Sequence, residues 1–166
     1  METILKDNLT KVELIDSIQF ESPRYNNDHF TKMIIDYKNY DLAKEENLTR
    51  KEMEEILNNK DFLSLPLYIY EHGGLALSTK SQCQWDSSFV GLIYISKKQA
   101  KEDGIDILYL KNEIQEFDDY LRNEVYEINI YTTNEEEKEW ELQDFSGWIY
   151  GYNNALEEYK AQGGEE

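Results

Sequence analysis

Three β-rich stretches follow one another closely in the middle of the sequence, and they constrain the fold more than any other feature. Residues 65–70 and 75–78 are separated by four residues that include Gly73 and Gly74. Glycines accept positive φ in tight turns, so this spacing predicts a β-hairpin. Residues 89–95 form a third β-rich stretch. We therefore expect three consecutive strands in this segment.

Loose or strict alternation of apolar and polar residues predicts further strands on both sides of this segment. Residues 11–18 and 31–37 are predicted strands before it. Residues 125–132 and 138–145 are predicted strands after it, and an acidic turn connects them. This second pair is predicted to be an antiparallel hairpin.

Helical spacing of apolar residues and capping residues predicts four helices, at residues 49–59, 97–103, 107–121 and 153–161. Thr49 and Glu52 match a capping box, and Ser96 and Gly104 are suited to the two caps of the second helix. The third helix is predicted to show Glu113, Glu116 and Asp119 on its outer face, and residues 163–166 are predicted to fray.

The order of these elements favours an α+β fold. Strands and helices occur in clusters, without the regular strand–helix–strand alternation of a parallel sheet. No Gly/Ser-rich or Pro-rich linker divides the chain, which has 2 Pro and 8 Gly. We expect a single domain over residues 1–166, with an antiparallel sheet and flanking short helices.

Acidic residues dominate the charge and concentrate in the C-terminal part. The 166 residues include 35 Asp and Glu against 17 Lys and Arg, a net charge of −18. Residues 1–101 hold 16 acids and 13 bases, whereas residues 102–166 hold 19 acids and 4 bases. A protein that binds phosphates needs Lys and Arg to release counterions, and anionic membranes repel a negative chain. The charge excludes direct binding to nucleic acid and disfavours binding to an anionic membrane.

Two interpretations of the acidic part, residues 102–166, are open. Its carboxylates can be a solvated face that keeps the protein soluble. However, clustered like charge destabilises a compact chain, and this cost favours a cationic partner. Duplex DNA carries one charge about every 1.7 Å of its axis, and a helix and a hairpin with frequent carboxylates can imitate it. The predicted partner-binding residues are Glu113, Glu116, Asp118, Asp119, Glu135, Glu136, Glu137, Glu139, Glu141 and Asp144. Candidate aromatic anchors are Tyr131, Trp140 and Trp148.

A Ser-rich loop before residue 89 contains Cys83, Trp85 and Asp86. With His72 as base and Asp86 to orient the imidazole, Cys83 has the residue type of a nucleophile. The alternative is structural, with Trp85 in a core, Asp86 capping the turn and Cys83 as a small buried side chain. The sequence has 2 His and no calcium-loop or phosphate-loop pattern. No metal or cofactor is predicted.

Several stretches of the sequence, among them HGGLALST at residues 72–79 and CQWDSS at residues 83–88, resemble small acidic proteins of phages and mobile elements in low-GC Gram-positive bacteria. The matching stretches are PLYIY at residues 66–70, HGGLALST at residues 72–79, CQWDSS at residues 83–88, VG at residues 90–91 and IYISK at residues 93–97. The ending, with Trp148, Gly151, Tyr152 and residues 155–158, is also similar. The chain departs from that family in its CQW loop and in DFSGW at residues 144–148, where a second Cys is usual, and this weakens a thiol mechanism. The resemblance implies no reaction, but it implies a context in which many proteins inhibit host defence.

Together these observations predict a non-enzymatic anti-defence inhibitor of the anti-CRISPR type. Its partner would be a basic nucleic-acid-binding protein of the host, either an RNA-guided nuclease or a restriction enzyme. The alternatives are a small hydrolase that uses Cys83 and His72, and an acidic phage or plasmid adaptor without mimicry. No stretch has the roughly 18 apolar residues of a membrane helix, the N-terminus lacks a signal-peptide pattern, and one Cys fits a reducing compartment. We expect a location in the host cytoplasm.

Overall fold

The chain folds into two compact units, each with its own antiparallel sheet. The structure is a computed structural model that describes residues 1–5, 9–25, 29–38, 40–71, 73–81, 87–133 and 139–165. Residues 22–122 form the central unit, and residues 1–21 and 123–166 form the terminal unit. The predicted α+β class, with antiparallel strands and flanking helices, is confirmed. One domain over residues 1–166 stays a prediction.

The central unit is built on a five-stranded sheet in which every neighbouring pair is antiparallel. Its strands are β3 (Lys32–Tyr37), β4 (Tyr40–Lys44), β5 (Phe62–Glu71), β6 (Leu75–Ser78) and β7 (Ser87–Ser96). Their order across the sheet is β4-β3-β7-β5-β6. The predicted hairpin is the β5–β6 pair, and the predicted third strand is β7, which inserts between β5 and β3. Strand β4 was not predicted from the sequence, because Asp41 and Lys44 interrupt its apolar pattern.

Three helices complete the central unit, and all three begin at a side-chain cap. They are α1 (Arg50–Asn58), α2 (Lys97–Asp103) and α3 (Ile107–Leu121). The capping box of Thr49 and Glu52 is confirmed, as are the caps of α2 at Ser96 and at Gly104, which has a φ of 71°. Leu110 and Phe117 of α3 are buried with one set of sheet residues, and Met53 of α1 with another. The sheet therefore contributes to two apolar cores.

Strand β7 approaches β3 so closely that residue 91 must be glycine. A Cβ atom built on Gly91 would lie 1.8 Å from the carbonyl oxygen of Ile34. Gly91 pairs with Ile35 of β3 and with Leu67 of β5, beside a β-bulge. Because the obstructing atom belongs to the backbone of a central strand, no side chain can move aside to relieve the contact.

The terminal unit contains strands from both ends of the chain. They are β1 (Glu2–Ile4), β2 (Thr10–Asp16), β8 (Val125–Thr132), β9 (Glu141–Phe145) and β10 (Ile149–Tyr150), followed by helix α4 (Tyr152–Ala161). Strand β2 pairs with β1 and β8, while β9 and β10 both pair with β8. The predicted β8–β9 hairpin and the C-terminal helix are confirmed. The sequence missed β1 and β10, which are too short for a periodic pattern.

Helix α4 packs on the sheet of the terminal unit, and the residues that follow it are held by hydrogen bonds. Ala155 and Tyr159 are fully buried in a cluster with Val12, Leu14 and Ile128. The prediction that residues 163–166 fray is wrong for the described residues 163–165. The amide of Gly164 donates to the carbonyl of Tyr159 (2.8 Å), and that of Glu165 donates to Oγ1 of Thr3 (2.9 Å). None of the helices in the described ranges is long and apolar enough to cross a membrane.

The contact at Gly91 gives a test of the central sheet. We expect Gly91→Ala to lower the free energy of unfolding by on the order of 3 kcal/mol, because the β3–β7 pairing must shift. Gly74→Ala is the matched control, since no atom lies within 4 Å of its Cβ position. Urea unfolding measures both variants. Similar stabilities for the two would contradict the close approach.

Candidate partner-binding surface

The negative charge is divided unequally between the two units. The sequence of the terminal unit has 17 Asp and Glu against 4 Lys and Arg, a net charge of −13 over 65 residues. The central unit has 18 acids and 13 bases, a net charge of −5 over 101 residues. The acidic part of the sequence, residues 102–166, is therefore not identical with the acidic unit of the structure. Residues 102–122 belong to the central unit, in which acids and bases are nearly balanced.

Strand β9 presents acidic residues at the edge of the terminal sheet. All five of its residues are exposed, including Glu141 and Asp144, and Glu139 just before it is exposed as well. Among the described residues, β8 is the only strand paired with β9. An edge strand keeps one row of backbone groups available to a partner. These three carboxylates therefore lie on an accessible surface, and their role in partner binding stays a prediction.

A β-bulge and a local hydrogen bond shape this edge. Asp144 lies opposite Ile130, but Leu142 lies opposite Tyr131, so Gln143 is an extra residue in β9. The amide of the next residue, Phe145, donates to Oδ1 of Asp144 (2.9 Å). Bulges and charged side chains both protect an edge strand against pairing with another copy of the same chain.

Apolar and aromatic side chains accompany the carboxylates of β9. Phe145 is 63% exposed, Leu142 is 53% exposed and Trp148 is 40% exposed. Of the predicted aromatic anchors, Trp148 is thus accessible, whereas Tyr131 and Trp140 are half-buried. Leu142 and Phe145 were not among the residues predicted from the sequence. Exposed aromatic and large apolar residues surrounded by charge are typical of protein-binding surfaces.

Lys11 engages the other two predicted anchors. Its ammonium lies 4.4 Å from the ring centroid of Tyr131 and 5.5 Å from that of Trp140. It also lies 3.5 Å from the carboxylate of Glu2 and 3.8 Å from that of Glu13. One of the four bases of the terminal unit is therefore already neutralised locally, and the excess of acid remains.

The acidic residues of α3 do not form an outer face, and that prediction is wrong. Glu113, Asp118 and Asp119 are only 6%, 4% and 5% exposed, and Glu116 is half-buried. Each buried carboxylate has hydrogen-bond partners. The amide of Leu77 in β6 donates to Oδ1 of Asp118 (2.6 Å), and Nε2 of Gln115 donates to Oδ1 of Asp119 (2.8 Å). These carboxylates satisfy groups inside the central unit.

Glu113 lies at the centre of a buried polar cluster, which we call the Glu113 cluster. Its members are Arg24, His29, Thr31, Glu45 and Glu113. Nη1 of Arg24 is 3.3 Å from Oε2 of Glu113, and Nε of Arg24 is 2.7 Å from Oε1 of Glu45. Nδ1 of His29 is 2.8 Å from Oε1 of Glu113, and Thr31 donates its hydroxyl to Oε2 of Glu113. The cluster connects Arg24, His29 and Thr31 to α3 and to the residue after β4.

Charge and hydrogen bonding in the Glu113 cluster shift the ionisation of its members. Burial opposes ionisation of Glu113, but hydrogen bonds from His29 and Thr31 and the charge of Arg24 outweigh it and hold the pKa of Glu113 below its ordinary value. The hydrogen bond to Glu113 raises the pKa of His29. Burial raises the pKa of Glu116. The two shifts in the His29–Glu113 pair both favour its charged form.

Several sequence predictions fall on residues outside the described ranges. These are the acidic turn with Glu135, Glu136 and Glu137, and the thiol hypothesis with His72, Cys83, Trp85 and Asp86. Both stay predictions. Among the described residues, no group of three or more His, Cys, Asp or Glu side chains is arranged to hold a metal ion.

Comparisons with protein-family models, with curated proteins and with solved structures find no match to this chain. The resemblance of residues 66–97 to small phage and mobile-element proteins stays an expectation.

The His29–Glu113 pair gives a prediction with a definite sign. A raised pKa in the folded state means that the interaction of His29 contributes fully below the unfolded pKa near 6.5 and is lost as the pH rises through the folded value. We therefore expect His29→Gln to destabilise the protein more at pH 5.5 than at pH 8.5. Chemical denaturation of the variant and the wild type at both pH values measures this. An equal loss at both would show that the pair is not charged.

Proposed function

We propose that this chain is a non-enzymatic inhibitor whose terminal unit occupies the basic nucleic-acid-binding groove of a partner protein. The observation that carries the proposal is the net charge of −13 on the terminal unit, together with an exposed acidic edge strand, β9. Such a surface attracts cationic grooves and repels polyanions. The resemblance to phage proteins suggests that the partner is a host defence effector, either an RNA-guided nuclease or a restriction enzyme.

The cost of the charge supports a binding role. Like charges on one compact unit repel one another and lower its stability. Within the terminal unit only 4 Lys and Arg oppose 17 acids, and Lys11 is already paired with Glu2 and Glu13. A cationic partner would relieve the repulsion that the unit cannot relieve itself.

The spacing of the carboxylates indicates how much of the terminal unit must contact the partner if the unit is to imitate DNA. At about 3.3 Å per strand residue, Glu141 and Asp144 are separated by roughly 10 Å, whereas duplex DNA carries one charge about every 1.7 Å of its axis. The carboxylates of strand β9 alone are therefore too far apart to imitate the charge density of duplex DNA. Mimicry requires further carboxylates. The candidates are Glu135, Glu136 and Glu137, which the sequence predicts to lie in a turn, and the exposed Glu157 and Glu158 of α4.

The contact surface proposed here is smaller than the one drawn from the sequence. Four of the ten predicted residues leave the set, because Glu113, Asp118 and Asp119 are buried in the central unit and Glu116 is half-buried there. Glu135, Glu136, Glu137, Glu139, Glu141 and Asp144 remain, and all six belong to the terminal unit.

Charge reversal on β9 tests the proposal. We expect Glu139→Lys with Glu141→Lys to reduce inhibition of DNA cleavage at least tenfold, because cations would then face the cations of the partner. The assay is competition with duplex DNA for a panel of RNA-guided nucleases and restriction enzymes. Inhibition by the wild type should also weaken steeply with salt, since exposed charges are screened beyond about 8 Å at physiological ionic strength.

The matched control reverses two exposed acids of the central unit, Asp61→Lys and Glu102→Lys. Glu45 and Glu46 are unsuitable controls, because Glu45 pairs with the buried Arg24 and Glu46 with Lys32 and Tyr94. Thermal melting of all variants separates binding from folding. The proposal fails if both double variants inhibit equally well, or if salt has no effect.

The thiol alternative has its own test. We expect Cys83→Ala to inhibit as the wild type does, at a stability cost of at most about 1 kcal/mol. A variant that melts cooperatively but has lost all activity would support an enzyme that uses Cys83.

A further inference from the structure

A groove of about 440 Å³ lies within the terminal unit, between its sheet and α4. We call it the α4 groove. Its lining comes from β8, β9, β10 and α4, together with Ser146 after β9 and Gln162 after α4. Its volume is in the range of about 300–1,000 Å³ that is typical of ligand pockets. The groove is therefore large enough for side chains of a docked segment.

The polar groups of the α4 groove come from opposite sides. Asn154 and Glu158 lie four residues apart on α4, and Gln162, the residue at the C-terminal cap of the helix, follows at the same spacing, so the three form one stripe. Asp144 is contributed by β9, where the β-bulge places it opposite Ile130 of β8. Two carboxylates thus border the same groove, one from the helix and one from the edge strand.

Both carboxylates are held by hydrogen bonds, and each bond engages one oxygen. Nε2 of Gln162 donates to Oε1 of Glu158 (2.9 Å), and the amide of Phe145 donates to Oδ1 of Asp144 (2.9 Å). In the described part of the chain, neither carboxylate has a Lys or Arg partner. Within the described ranges, the groove therefore has two positioned anions that no Lys or Arg side chain pairs with.

The rest of the lining is largely apolar. Ile128 and Ile130 are contributed by β8, and Phe145 and Ile149 lie near the sheet edge. A small hydrated cation gains nothing from contact with an apolar surface. A cation on an aliphatic stem can bury the stem against that surface and place its charge at the carboxylates. The lining is thus complementary to a long basic side chain.

We propose that the α4 groove receives an arginine side chain from a basic segment of the partner protein. This inference rests on the proposed function and adds a specific contact to it. A guanidinium is planar, can donate to two carboxylates and is more weakly hydrated than an ammonium, and it stacks on aromatic rings such as that of Phe145. A second copy of this chain is a poor occupant, because two units of net charge −13 repel each other.

Peptide titration of the full chain tests the proposal. The probe is an acetylated and amidated Gly-Gly-Arg-Arg-Gly-Gly peptide, added to ¹⁵N-labelled protein at low salt. We expect the largest amide shifts at Ser146, Asn154 and Glu158. We also expect the peptide with Lys in place of Arg to bind at least fivefold more weakly. Equal affinity for the two peptides would overturn the arginine assignment.

Two isosteric double variants separate the groove from general attraction. Asp144→Asn with Glu158→Gln retains the oxygens that accept from Phe145 and Gln162, and we expect it to bind the arginine peptide at least tenfold more weakly. Asp16→Asn with Glu21→Gln removes the same charge from exposed positions of the terminal unit that do not line the groove, and we expect an affinity within twofold of the wild type. If both variants weaken binding equally, the attraction is unspecific and the proposal is wrong.

The outcomes for the groove and for the proposed function are distinguishable. If the arginine peptide binds as expected but no nuclease or restriction enzyme is inhibited, the groove assignment stands and the nucleic-acid-mimic function fails. If an effector is inhibited in a salt-dependent way, but Asp144→Asn with Glu158→Gln inhibits it as well as the wild type, the function stands and the groove assignment fails.

Discussion

The cost of removing a charged carboxylate from water governs where the acids of this chain lie. A buried carboxylate needs both hydrogen-bond donors and a nearby cation to remain ionised. The central unit meets this requirement at Glu113, which has Arg24, His29 and Thr31 as partners. The terminal unit has too few bases to do the same for 17 acids. Acids of the central unit can therefore be buried in its interior. The excess acids of the terminal unit remain exposed to water or bind a cationic partner.

Local sequence was sufficient for the helices and for most strands. The caps at Thr49 and Ser96 and the left-handed Gly104 are determined within one turn of chain, and the structure agrees at each. The side-chain environment of α3 is different. Glu113 looks solvent-facing from its own helix, but its partner His29 is 84 residues away in the sequence. No local pattern can show that such a partner exists, so the burial of Glu113 was not predictable.

The candidate surface was predictable in its charge but not in its shape. Alternation in residues 138–145 predicted a strand and placed Glu141 and Asp144 on it. Whether that strand lies at the centre or at the edge of a sheet depends on β2 and β10, which come from distant or very short segments. The β-bulge at Gln143 likewise depends on pairing with β8. The exposure of Leu142 and Phe145 depends on what packs on the faces of the sheet, which the sequence of β9 alone does not show.

The discontinuous terminal unit has a consequence for folding during synthesis. Strand β2 is made early but pairs with β8, whose residues follow the whole central unit in the chain. Because a ribosome delivers the N-terminal segments first, the central unit can complete its sheet while β2 still lacks its main neighbour. Most carboxylates of the terminal unit also emerge after residue 122. The nascent chain thus acquires its strongest self-repulsion only when the apolar cores of the central unit can already have formed, and β2 completes the terminal unit in a late, long-range step.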